Sequence, residues 1–290
     1  MHLLIMIIIL SLVPQCGTSE MFSTFIMKYN REYNMKRLVS VVGLMSIFLL
    51  GSYIATSVIF AGGTGQAQSS ADYQEADLKN GAQLYDNWLK STEIKTSENH
   101  SLYPQTSKKS GKATWRCKEC HGWDYIGNKG RYSKGSHFTG ITGVFHVQKE
   151  NPEVLYSSMT NKNAEHDFSE YLSKSQILDL VKFLREGQDA IEPVIDNQGK
   201  GKGNSSHGKA LYEAHCNDCH GSDGNEIDFK ANKEGLQGVG WLANDNPQES
   251  IHKIRWGHPG SDMPSMRVDK HLSEQDSIDI LTYSQSLGSK

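Results

Sequence analysis

Two short stretches decide the reading: Cys117-Lys118-Glu119-Cys120-His121-Gly122 and Cys216-Asn217-Asp218-Cys219-His220-Gly221. Each is a C-x-x-C pair followed at once by histidine. The chain has five cysteines, and the fifth, Cys16, lies far upstream. Two cysteines three apart can add across the two vinyl groups of one haem, and the adjoining histidine then lies under the iron as its ligand. A zinc site made of all four cysteines would have to pair motifs 99 residues apart, and it leaves both histidines without a role. A redox dithiol leaves them unexplained too. Covalent haem at Cys117, Cys120 and His121, and again at Cys216, Cys219 and His220, is therefore the reading that uses every residue of both motifs.

Outward from the motifs, the chain repeats itself. Gly81-Ala82-Gln83-Leu84-Tyr85 matches Gly208-Lys209-Ala210-Leu211-Tyr212, and Asn151-Pro152 matches Asn246-Pro247. Leu172-Ser173 matches Leu272-Ser273, and Asp179, Leu180, Val181 and Phe183 fall 100 residues before Asp279, Ile280, Leu281 and Tyr283. Each copy reads as opening helix, haem motif, long loop, short helix, loop and closing helix. Ser173 with Gln176 predicts a capping-box start, and Ile177, Leu180, Val181 and Leu184 keep helical spacing, the mark of a core-facing stripe. The copies differ before the motif: a polar Ser/Thr/Lys-rich insertion, 89–116, separates the first opening helix from Cys117. It reads as a surface loop, with a partner-docking flap as the alternative. Between the copies, 191–206 reads by composition as a flexible linker.

Sixth ligands follow from the same alignment. In the second copy, Met263 sits in Gly257-His258-Pro259-Gly260-Ser261-Asp262-Met263-Pro264, 43 residues past His220, with Met266 and His258 as rivals. The first copy has no Met-Pro. There His166, 45 residues past His121, falls near the Met263 position, with His137, His146 and Met159 as rivals. A His/His iron and a His/Met iron would differ in potential, the second being higher. Trp115, Trp123, Tyr125, Trp241 and Trp256 read mostly as packing, and no catalytic role is assigned to them.

Composition agrees with a cofactor-filled interior. The 290 residues favour two domains, and only 37% are apolar, many of them concentrated near the N-terminus. A porphyrin is a large apolar plate that can substitute for missing core. Net charge is −3, with 8 basic against 13 acidic residues after position 204. With no basic stripe, nucleic-acid binding is disfavoured. Residues 1–67 read as a leader: Lys36 and Arg37 precede a nearly continuous apolar run, 38–62, and Gly65-Gln66-Ala67 offers small residues for cleavage. The run suits either a cleaved signal or a membrane anchor, and both place the bulk of the chain outside the cytoplasm, in the periplasm. Residues 1–34, including the short apolar run Leu3–Val13 and Cys16, read as a mis-assigned start, with translation beginning at Met27 or Met35.

From Gly81 to Gly187 and from Gly208 through Met263-Pro264 to the last helix, the chain resembles a tandem of class I cytochrome c domains. The resemblance covers about 75–290, and it implies an all-α fold with one domain at 75–190 and another at 207–290. It further implies two covalent haem c groups and one-electron traffic between a redox protein donor and acceptor. The favoured function is an electron carrier with no substrate site of its own. The alternatives are a di-haem oxidoreductase of the peroxidase or thiosulfate-oxidising type, or the cytochrome subunit of a larger oxidoreductase. Thiosulfate dehydrogenases of the di-haem type use a cysteine as an axial ligand, and no cysteine remains unassigned after Cys16.

Overall fold

The closing helix expected from the Ser173 capping box is present in the computed structural model, which describes residues 71–92, 94–160, 164–229 and 235–288. The leader, Cys16 and the apolar run 38–62 lie outside the described residues. Among the described residues the fold is all-α, with two isolated bridges, Gly127–Thr142 and Ile195–Gly201, and no strand.

In the first half, α1 (Leu78–Asn87) leads through the insertion to the motif turn α2 (Cys117–His121), then α3 (Pro152–Ser158) and α4 (Lys174–Lys182). In the second half, α5 (Ser205–His215) runs into α6 (Asn217–His220), followed by α7 (Val239–Asp245), α8 (Pro247–Trp256) and α9 (Glu274–Ser284). Each half is organised by its opening helix crossing its closing helix: α1 on α4, α5 on α9. The crossings are made at glycine. A Cβ at Gly81 would lie 1.9 Å from the Asp179 carbonyl oxygen, and one at Gly208 would lie 1.9 Å from that of Asp279. Only a residue without a side chain lets the backbones approach this far.

The same aspartates close the crossing. Asp179 is buried in the α4 stripe, and its carboxylate accepts from the Asp77 backbone N–H (2.6 Å) and the Asn80 side chain (2.7 Å). Asp279 likewise accepts from the Asn204 backbone N–H (2.7 Å) and His207 Nδ1 (2.8 Å). A buried carboxylate is thus satisfied at the N-terminus of the partner helix, where unpaired N–H groups and the helix dipole favour negative charge. The matching pairs Asn151-Pro152 and Asn246-Pro247 each open a helix, with the asparagine side chain accepting from a first-turn N–H.

Two expectations from composition differ from what forms. The stretch 191–206 is not a slack tether: Ile191, Val194 and Ile195 are buried in the second half's core, Lys202 N–H donates to the Val194 carbonyl, and α5 already begins at Ser205. Its glycines and lysines mask three well-spaced apolar anchors. The insertion is not a bare surface loop either, since His100, Tyr103 and Thr114 are buried.

The two halves meet through α8, whose His252 bridges Tyr125 Oη–H (3.0 Å) and the Ala82 carbonyl (3.1 Å) of the first half. Trp256 of α8 is buried within the first half's core against Phe183. Asp86, fully buried on α1, is paired with Arg116 and with Lys253 of α8 (2.8 Å).

Replacing Gly81 or Gly208 by alanine forces each crossing apart, and overpacking of this kind costs about 1–3 kcal/mol. Urea unfolding of each single variant measures it, and a change within experimental error at both positions contradicts the crossing as described.

Candidate functional site

The crossing sets where each motif sits. Four residues past Gly81, one turn along α1, Tyr85 sends its hydroxyl to the Gly122 carbonyl (2.7 Å), the residue that ends the first motif. Tyr212 does the same to Gly221 (3.0 Å). Both glycines have positive φ, 84° and 76°, so the chain turns away sharply after each histidine. The opening helix therefore pins the turn that carries the two cysteines and the histidine.

In the first half this turn borders a cavity of about 300 Å³. Cys117, Cys120, His121 and His166 all line it, and so do His100 and Met159. All four motif cysteines are free thiols. Burial pushes the thiols of Cys117, Cys120 and Cys216 up to about 12, so they stay protonated at neutral pH.

His121 and His166 are oriented alike. His121 Nδ1–H donates to the Thr142 carbonyl (2.8 Å), and His166 Nδ1–H donates to the Ser158 carbonyl (3.0 Å). A carbonyl only accepts, so the proton sits on Nδ1 in each ring and the Nε2 lone pair is left to bind a metal. Burial lowers His121 to about 4 despite the Thr142 bond, which keeps it in the neutral, ligating form. The ring centroids are 6.3 Å apart and the rings nearly perpendicular, at 85°. With metal–nitrogen bonds of about 2 Å and about 1.1 Å from nitrogen to ring centroid, two imidazoles on opposite sides of one metal have centroids about 6 Å apart. The donor set and its spacing fit a covalently attached haem.

The rivals of His166 are placed elsewhere or carry other duties. His137 is outside the cavity, donating to Glu119 Oε1 (2.9 Å) and stacked on Tyr132 at 4.7 Å. His146 does not line the cavity. Met159 lines it but is also part of the first half's core.

The second motif is more open. Cys216 packs on the second half's core, while Cys219 is exposed. His220 is held below its ordinary pKa by burial, and its Nδ1 has no hydrogen-bond partner. Met263 is half-buried on the loop after Gly257, its N–H donating to Ser261 Oγ (3.3 Å). Its rivals are engaged: Met266 is buried in the second half's core, and His258 Nδ1 lies 2.7 Å from Lys253 Nζ beside Asp86. Of the five flanking aromatics, Trp115 lines the first cavity, Trp123, Tyr125 and Trp256 are buried, and Trp241 is half-buried.

Sequence reasoning missed His100, the carbonyls of Thr142 and Ser158, and buried Asp86. A backbone carbonyl has no side-chain signature. His100 hides in a polar run with no periodicity, where only its nearness to Trp115 and the motif offers a hint.

The class defined for the second half is a helical domain built to carry covalent haem. Residues 203–283 match the family described as Cytochrome C oxidase, cbb3-type, subunit III, and this match supports a cytochrome c domain over that segment. Such a domain implies covalently bound haem c, one-electron transfer and redox protein partners. No curated protein and no solved structure matches the chain.

Beside the first motif, burial opposes ionisation of Glu119, but His137 and Lys118 outweigh it and hold the carboxyl down at about 2. A carboxylate with a depressed folded-state pKa contributes stability above its unfolded value, and that stability is lost as pH falls through the folded value. Acidification from about pH 4.5 toward 2 should destabilise the wild type more steeply than Glu119→Gln, as read by urea midpoints across that range.

Proposed function

We propose that the chain is a di-haem c-type cytochrome that carries single electrons between redox partner proteins outside the cytoplasm. The observation that carries this reading is the first half's cavity, where two imidazoles, each anchored through Nδ1 to a backbone carbonyl, lie with ring centroids 6.3 Å apart beside a C-x-x-C pair. The match at 203–283 supports the second domain. The repeated glycine crossing and the repeated tyrosine-to-glycine hydrogen bond support treating the first half as its counterpart.

Bound haem supplies a one-electron iron couple whose potential follows its axial ligands. In the first half, Cys117 and Cys120 would hold the ring, and His121 and His166 would bind its iron. In the second, Cys216 and Cys219 would hold it, with His220 and Met263 binding the iron. The backbone carbonyls of Thr142 and Ser158 hold the two imidazoles in place, so they need little rearrangement between oxidation states. The His/His centre is the lower-potential member and the His/Met centre the higher, so the chain holds a downhill step within itself. Lys36 and Arg37 ahead of 38–62 favour export to the periplasm, either in soluble form or tethered to the inner membrane.

Mass spectrometry of the exported protein should show the added mass of two haems. Low-temperature EPR of the ferric form should show two low-spin signals, one of which becomes high-spin in His166→Ala while the other is unchanged. A single haem, or two signals indifferent to that substitution, overturns the proposal.

A further inference from the structure

The first cavity contains a third histidine, and its hydrogen bonding is the reverse of the other two. His100 comes from the insertion, which has no counterpart in the second half. It is 8% exposed, edge-on to Trp115 at 4.6 Å and stacked on Phe168, whose other contacts include His166. Its Nδ1 accepts from the Leu102 backbone N–H (3.2 Å). A backbone N–H only donates. Burial first, and then the field of His166, keeps the ring neutral, so its single proton is on Nε2. His121 and His166 thus offer lone pairs, whereas His100 offers a donor.

No protein acceptor pairs with His100 Nε2–H, and the atom is not among the fully enclosed unpartnered ones, so it is within reach of an acceptor that enters the cavity His100 lines. The polar groups of the wall and the two carbonyls that anchor the imidazoles have partners of their own. Thr114 Oγ1 accepts from the His100 backbone N–H (2.9 Å) and donates to the Gly111 carbonyl (2.7 Å). The Thr142 and Ser158 carbonyls are taken by His121 and His166. Arg116, the cation on the wall, would be a rival donor to an entering carboxylate, but it donates to Asp86 instead. A haem brings acceptors of its own, its two propionate carboxylates.

We propose that His100 Nε2–H is the donor that receives a haem propionate in the first half, so that the insertion acts as a positioning device for that haem and sets its potential. This rests on the reading of the first half as a haem domain. A carboxylate stripped of its donor exerts more of its negative charge on the iron and stabilises the ferric state, so removing the donor lowers the potential.

The test is a redox titration of the exported holoprotein, following the His/His centre in wild type, His100→Phe and His100→Gln, with haem content by mass and thermal unfolding recorded for each. His100→Phe keeps a ring for packing and should lower the midpoint by the equivalent of about ten-fold in the exchange equilibrium with a mediator, about 59 mV for one electron. His100→Gln keeps an N–H near the Nε2 position and should restore most of the shift. Equal shifts in both variants, or none in either, overturn the inference while leaving the two-haem reading intact. Altered cyanide affinity in His100→Phe with an unmoved midpoint overturns it in favour of a donor to an external ligand. A chain with haem only at Cys216 and Cys219 overturns both.

Discussion

The close approach of an opening and a closing helix at a residue without a side chain is the constraint on which the rest of the structure depends. Gly81 admits the Asp179 backbone, and Gly208 admits that of Asp279. Once the helices touch there, the aspartate reaches the N-terminus of its partner, and a tyrosine one turn further on reaches the glycine that ends the haem motif. Everything the motif can bind is therefore positioned by packing some distance away from it. The two halves obey this rule with different sequences around it, so the constraint itself, more than the particular core residues, defines the unit.

From that shared frame the two sites diverge. The first borders a cavity: the insertion adds His100, Leu102, Thr114 and Trp115 to its wall, and the imidazoles of His121 and His166 are both braced by carbonyls. The second leaves Cys219 exposed and His220 Nδ1 without a partner. A carbonyl partner on the far nitrogen makes an imidazole a stronger donor to its metal. The braced His121 is thus the better electron donor of the two motif histidines toward a metal.

Much of this was legible in the sequence wherever one residue type has one physical use. The C-x-x-C-H motifs, the capping box at Ser173, the stripe Ile177, Leu180, Val181 and Leu184, and the 100-residue offset of the closing helices all read directly. The placement of His166 opposite His121 followed from aligning the final helices. What stayed hidden was of another kind. The order in 191–206 depends on Ile191, Val194 and Ile195 finding a core made by residues far along the chain. The role of 89–116 depends on His100 being folded under Trp115, which no local pattern encodes. The buried Asp86 reads in sequence as an ordinary exposed acid on a helix, and its partners lie 30 and 167 residues away.

That aspartate also limits how such a chain can be divided. Its two cations come from different halves: Arg116 from the first and Lys253 from the second. A buried carboxylate that loses one of its counter-charges is a substantial liability. Trp256, seated in the first half's core, adds an apolar face that a severed fragment would have to show to water. Neither half is a free-standing bead on a string. A cut at the seam would leave each piece with a defect that only the other can mend.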